Sequence, residues 1–167
     1  MKQQLFLFKE SLNKTHGGSK AKGKRKTLRP LSTKQPIHLI LKANNPFQLL
    51  RNRESVEQPI QKYSRKFGIT IYELAVQADH IHLSIKIPSR DLYRRWIRAI
   101  TAVLTLKMKK LKWLLPPFTR IGTWGRDFKR LGHYIQNNKN DGSFILHCHE
   151  RIDRLREQWM GDLCAKS

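Results

Sequence analysis

Residues 79–87 read Asp-His-Ile-His-Leu-Ser-Ile-Lys-Ile, an unbroken alternation in which Ile81, Leu83, Ile85 and Ile87 take every second position. Successive side chains on a strand point to opposite faces, so this stretch predicts a strand with one face in a core. The same alternation sets His80 and His82 together on the other face, roughly 6–7 Å apart at Cα. Two imidazoles at that spacing can hold one metal ion, and they equally fit a half-exposed pair on an ordinary sheet.

The neighbouring segments supply a sheet for this strand. Ile37-His38-Leu39-Ile40-Leu41-Lys42-Ala43 reads as a first strand, closed by Asn44-Asn45-Pro46. A helical region follows to about Lys66, marked by Phe47, Leu50, Val56, Ile60 and Tyr63. Pro59 predicts either a break there or a helix restarting near Ser55 with proline in its first turn, and Gly68 ends the segment. Ile69–Val76 forms a second strand, and Gln77-Ala78-Asp79 turns it into the histidine strand as an antiparallel hairpin. Beyond Pro88, Ser89 or Asp91 caps a helix that runs to about Lys112. Leu92, Trp96, Ile100, Val103 or Leu104, Met108 and Leu111 recur at the spacing of one buried face. Phe118-Thr119-Arg120-Ile121 is a fourth strand, Gly122-Thr123-Trp124-Gly125 a turn, and a further helix starts near Arg126 and fades at Asn140-Asp141-Gly142. The order strand, helix, strand, strand, helix, strand predicts an α+β fold, a ferredoxin-like βαββαβ sandwich with an antiparallel sheet, over residues 36–142. An amphipathic C-terminal helix over 143–167 is marked by Ile145, Cys148, Ile152, Leu155 and Trp159.

Charge identifies the class of partner. Lys and Arg number 34 against 12 Asp and Glu, a net +22, which calls for a polyanion bound through its phosphates. Residues 1–35 form a basic arm with Lys22, Lys24, Arg25 and Lys26 at its densest point and no apolar period after Phe8, expected to stay mobile until it meets nucleic acid. The exposed face of the helix after Pro88 carries Arg94, Arg95, Arg98, Lys107, Lys109, Lys110 and Lys112, a second phosphate-facing surface. An anionic membrane surface is the competing partner. The chain shows no run of about 18 apolar residues and no signal-peptide core at its start, so no membrane role and a cytoplasmic location are expected. Cys148 and Cys164 make no disulfide framework, and His147-Cys148-His149 is either a minor metal patch or a polar patch on a helix.

Within this arrangement, His80-Ile81-His82 on a central strand and Tyr134 on the helix after the fourth strand resemble the His-hydrophobe-His single-tyrosine transposases. The chain is most similar to the REP-associated tyrosine branch, with an IS200-like transposase domain. The resemblance covers about Leu28 to Gly142 and rests on four places: Arg29-Pro30 leading to Ile37-His38-Leu39, Asp79-His80-Ile81-His82-Leu83, Phe118-Thr119-Arg120 with Trp124-Gly125-Arg126-Asp127-Phe128, and Tyr134-Ile135-Gln136-Asn137-Asn138. Lys139 stands where relatives often carry proline, and the segment from Trp124 to Tyr134 is short.

The resemblance implies a metal-dependent endonuclease and strand transferase on single-stranded, hairpin-bearing repeat DNA, acting as a homodimer in a bacterial cytoplasm. It implies Tyr134 as nucleophile, forming a 5′-phosphotyrosine link. Tyr134 and Asn138 are four apart and share a helix face, so the Asn138 amide oxygen can complete a site for Mg²⁺ or Mn²⁺ begun by His80 and His82. A metal and nearby cations favour the phenolate of a residue whose ordinary pKa is near 10. Arg126, Lys129 and Arg130 lie beside Tyr134 as phosphate contacts, and Trp124 either stacks on a base or caps the core. His38 either assists at the edge of the site or, as is more usual for a first-strand residue, is structural, and it stays outside the expected catalytic set. The alternative function is a non-catalytic basic nucleic-acid-binding module of the RNA-binding ferredoxin-like kind, and a replication initiator or relaxase of the same chemistry is a third reading.

Overall fold

A computed structural model of the chain describes residues 14–18, 23, 28–44, 48–109, 111–114, 116–141, 144, 147 and 151. Its elements are β1 (Thr15–His16), β2 (Ile37–Lys42), α1 (Gln48–Arg51), α2 (Arg53–Phe67), β3 (Thr70–Val76), β4 (His80–Lys86), α3 (Arg90–Lys107), β5 (Phe118–Ile121) and a helix α4 over 126–141. The five strands form one sheet in the order β1-β5-β2-β4-β3, every pair antiparallel. From β2 onward this is the expected βαββαβ order, with the histidine strand β4 held centrally between β2 and β3.

The alternation read from the sequence decides the layers. Ile37, Leu39 and Leu41 of β2 and Ile81, Leu83 and Ile85 of β4 are buried in one core with Val56 and Ile60 of α2 and Tyr93, Trp96, Ile100 and Leu104 of α3. The two helices are tied by a buried bond from the Trp96 indole N–H to Ser64 Oγ at 2.9 Å. Ser89 is the N-cap of α3, its hydroxyl accepting from the Leu92 N–H. Gly68 closes α2 in the left-handed region at φ 66°, where a side chain would be strained.

Pro59 lies within the continuous helix Arg53–Phe67, beyond its first turn, rather than breaking it or opening a new one. The side chain is buried beside Val56 and Ile60, so core contact offsets the missing N–H. The amphipathic pattern after Ser89 also outruns its helix. The α3 helix stops at Lys107, and Met108 and Leu111 stay buried in the irregular segment that follows.

Order does not wait for Pro36 either. Thr15 and His16 pair with Arg120 and Thr119 on the edge of β5, stabilised by backbone pairing that a polar sequence does not announce. Gly17 makes this possible: at φ 85°, a Cβ there would stand 2.1 Å from the Pro117 carbonyl oxygen. Arg29 adds a second anchor, donating from Nη1 to the Pro117 carbonyl at 2.6 Å and to Thr119 Oγ1 at 2.9 Å. Lys22, Lys24, Arg25 and Lys26 lie outside the described residues, as does most of the expected C-terminal helix, of which 144, 147 and 151 are described and helical. Among the described residues, no helix is long and apolar enough to cross a membrane.

Candidate active site

The face of the sheet turned away from α2 and α3 carries the even-numbered residues of β2 and β4. Register places His82 opposite Ile40 and Ala75, Ser84 opposite His38, and His38 in turn opposite Arg120. Helix α4 closes part of this face through a second, small core of Ala75, Leu131 and Ile135. Three polar ties hold the same helix along its length. Asp127 pairs with Arg120 at 2.8 Å, Gln136 Nε2 donates to Glu73 Oε1 at 3.1 Å, and Gln77 Nε2 donates to the Asn138 carbonyl. A register shift between Ile71 and Glu73 turns Tyr72 toward the start of α4, where its ring meets Trp124 and Phe128 edge-on.

This docking brings Tyr134 over the histidines of its own chain. Its ring stands edge-on to His82 at 5.3 Å between centroids and to His38 at 6.1 Å, and the residue is 49% exposed. His80 and His82 are neighbours at 4.6 Å, as the alternation requires. The two imidazoles are backed differently. His80 Nδ1 meets Asp79 Oδ1 at 2.6 Å, and Lys42 Nζ lies 3.5 Å from the other carboxylate oxygen. His82 Nδ1 meets His38 Nε2 at 3.1 Å, the two rings stacked within 18° of parallel. Burial, reinforced by His80 and His38, lowers the pKa of His82 to about 3. Burial, reinforced by Arg120, lowers that of His38 to about 4. Both rings are therefore neutral at ordinary pH, the form that can ligate a cation.

His80 and His82 each have Nδ1 occupied, which leaves their Nε2 for a ligand. His82 Nε2 is buried and has no hydrogen-bond partner among the described residues. A carboxylate behind one ligating ring and a second polar partner behind the other is the kind of support that metal-binding histidines carry. Asn138 donates its amide nitrogen to the Tyr134 carbonyl at 2.7 Å, so its oxygen is the atom left for a cation. Among the described residues no three His, Cys, Asp or Glu side chains cluster for a metal, so an ion here would rest on two imidazoles and a neutral oxygen.

The expected phosphate contacts divide between the two faces. Arg126 and Arg130 are exposed and precede Tyr134 by two turns and one turn on the same stripe of α4, with exposed Lys129 beside them. Arg94, Arg95 and Arg98 are exposed on α3, which packs on the opposite face of the sheet from the histidines. The alternation of β4 and the burial of α3 together determine this separation, and the charge pattern alone did not show it. Trp124 is 42% exposed, donates its indole N–H to the Lys34 carbonyl and packs against Tyr72 and Phe128, so it caps this end of α4. His38, outside the expected catalytic set, sits directly against His82. Only the pairing of β2 with β4 reveals that contact.

No curated protein sequence matches the chain. Among solved structures, a REP-associated tyrosine transposase bound to a REP hairpin superposes with a TM-score of 0.59 at 18% identity, over 71% of this chain and 74% of its own. At that identity the likeness is one of fold, and it agrees with the five-stranded antiparallel sheet and its helices. A transposase-like protein of Deinococcus radiodurans covers 69% of this chain and 98% of its own at 14% identity, with a TM-score of 0.43 that carries no argument. The family described as "Transposase IS200 like" matches residues 32–138, from just ahead of β2 to Asn138. The matched segment spans well over half of the sequence, and the chain belongs to the IS200-like transposase family.

Proposed function

We propose that the protein is a metal-dependent single-strand DNA endonuclease and strand transferase that uses Tyr134 as its nucleophile, on hairpin-bearing repeat DNA. The observation that carries this reading is the edge-on placement of an exposed tyrosine over His82, whose Nε2 is buried without a partner among the described residues. The phenolic oxygen of Tyr134 attacks a backbone phosphorus and loses its proton, and the bond from phosphorus to the 3′ oxygen breaks. The products are a 5′-phosphotyrosine link and a free 3′-hydroxyl. Attack by another 3′-hydroxyl reverses the step and rejoins strands, with no external energy source. A divalent ion, Mg²⁺ or Mn²⁺, held by His80, His82 and the Asn138 oxygen would polarise the phosphate and offset charge developing on it. Arg126, Lys129 and Arg130 orient the strand beside the nucleophile.

Tyr134 lies against His82 of its own chain, and a homodimer would bring two such sites to two DNA ends. Arg94, Arg95 and Arg98 would meet DNA that passes over the helical layer. The alternative of a non-catalytic stacking platform fits less well, since Leu131 and Ile135 cover part of the sheet face such modules leave open. The solved relative binds a REP hairpin, which makes repeat hairpins the first substrates to try.

The test is to incubate labelled single-stranded hairpin DNA with the protein and Mg²⁺ or Mn²⁺, and to look for a protein–DNA adduct that survives denaturant. The wild type forms it and Tyr134→Phe does not. An adduct of equal yield with Tyr134→Phe, or none with wild type on any repeat tried, removes the catalytic reading. Binding weakens with salt at about 0.7 log units per log unit for each single-strand phosphate contact.

A further inference from the structure

We propose that His38 is a positioning residue of the site: by accepting the Nδ1–H of His82 at its own Nε2, it fixes the tautomer of His82 that keeps Nε2 bare for a divalent ion. The inference rests on the reading of His80 and His82 as metal ligands and adds to it a residue from a different strand.

His38 and His82 lie on one face of neighbouring strands, each two residues along from the other's partner, at His38↔Ser84 and Ile40↔His82. Both are buried, at 7% and 2% exposure, and the nitrogens meet at 3.1 Å. Their rings stack, and His38 is held edge-on by Phe118 at 6.4 Å and by Tyr134 at 6.1 Å, so its Nε2 has little freedom to leave the bond.

Between two neutral imidazoles the bridging proton has two placements. With the proton on His82 Nδ1, Nε2 of His82 carries a lone pair and can ligate. With the proton on His38 Nε2, His82 must carry its own proton on Nε2, which then faces its buried position as a donor without an acceptor among the described residues. Only the first placement turns the unpartnered atom into a ligand. His80 receives the corresponding support from Asp79, so the two histidines are oriented from different strands, one by its neighbour in sequence and one across the sheet.

The experiment uses the full chain, metal-free, with ¹⁵N-labelled histidine, and compares wild type with His38→Gln and His38→Leu. Long-range ¹H–¹⁵N spectra report the His82 tautomer directly, and calorimetric titration with Mn²⁺ reports affinity without reference to activity. Wild-type His82 is expected as the Nδ1–H form. Loss of this kind of outer support weakens metal binding by about 10- to 100-fold, the drop expected of His38→Leu. Glutamine carries its amide oxygen near the place of the imidazole Nε2, so His38→Gln restores most of the affinity, as a purely space-filling role for His38 would not require.

An Nε2–H tautomer in wild type overturns the proposal, and so does a leucine variant that binds Mn²⁺ as tightly as wild type. If His38→Leu fails to fold, the wild-type tautomer and the glutamine titration still decide it. A protein whose Mn²⁺ affinity depends on His38 but which never forms the Tyr134 adduct would retain this inference and lose the proposed reaction. Adduct formation with affinity indifferent to His38 would do the reverse.

Discussion

Ile135→Ala separates the docking of the tyrosine helix from the stability of the fold beneath it. Ile135 is fully buried, yet among the described residues its cluster contains only Ala75 and Leu131 besides itself, whereas the main core between the sheet and α2/α3 gathers nineteen of them. Trimming isoleucine to alanine deletes three carbons, about 2.4 kcal/mol at 0.8 kcal/mol each, and the hole left behind places the total within the ~2–5 kcal/mol range of such truncations. The polar ties that remain are part-exposed. Arg120–Asp127 is worth on the order of 0–1 kcal/mol and the Gln136–Glu73 and Gln77–Asn138 bonds about 1 kcal/mol each, so with the ring contacts of Tyr72 they hold α4 only weakly once the small core is trimmed. The expected result is a local opening. Amides of 126–141 exchange faster by about 30- to 150-fold for 2–3 kcal/mol lost, while amides of β2 and β4 keep their protection relative to global unfolding. Native-state hydrogen exchange read by mass spectrometry measures both in one sample, and adduct formation by Tyr134 should fall with the opening of α4. Equal loss of protection in β4 and α4 would show that the helix is no separate unit and would refute the argument.

Two further outcomes follow from single contacts. Ser64→Ala leaves the buried Trp96 indole N–H without its acceptor and should cost about 1–3 kcal/mol in urea unfolding. Burial alone would raise the pKa of Asp127, but hydrogen bonds from the Thr123 N–H and Arg120 outweigh it and hold the carboxyl below its ordinary 3.8. A lowered carboxyl contributes stability above its unfolded pKa and loses it as pH falls through the folded one. Wild type should therefore lose more stability on acidification below about pH 4 than Asp127→Asn does, measured by thermal melts across that window; parallel curves would count against the pair.

The parts of the site that lie along one element were legible in the sequence. Alternation over Ile81, Leu83 and Ile85 placed His80 and His82 on a common face, and four-residue spacing placed Tyr134 and Asn138 on one stripe of a helix. The parts that depend on which strands become neighbours were not legible. His38 has the composition of an ordinary strand residue, and its contact with His82 exists only because β2 pairs with β4 in that register. Arg94, Arg95 and Arg98 formed a basic stripe on a helix, but a stripe carries no information about which side of the sheet the helix will cover. The two-residue strand β1 has no hydrophobic signal, since a short edge pairing draws on backbone hydrogen bonds and a permissive glycine rather than on buried side chains.

The two anchors of the basic arm have a consequence of their own. The Gly18 N–H bonds to the Pro116 carbonyl, and Arg29 bonds to the Pro117 carbonyl and Thr119, so the chain leaves the start of β5 and comes back to it. Both anchors, at Gly18 and at Arg29, stand next to Phe118, the ring set edge-on to His38. Arg29→Ala would remove the bonds to the Pro117 carbonyl and Thr119 while leaving the pairing of Thr15 and His16 with β5, so it separates the two ways in which residues ahead of β2 are fastened to the edge strand beside His38.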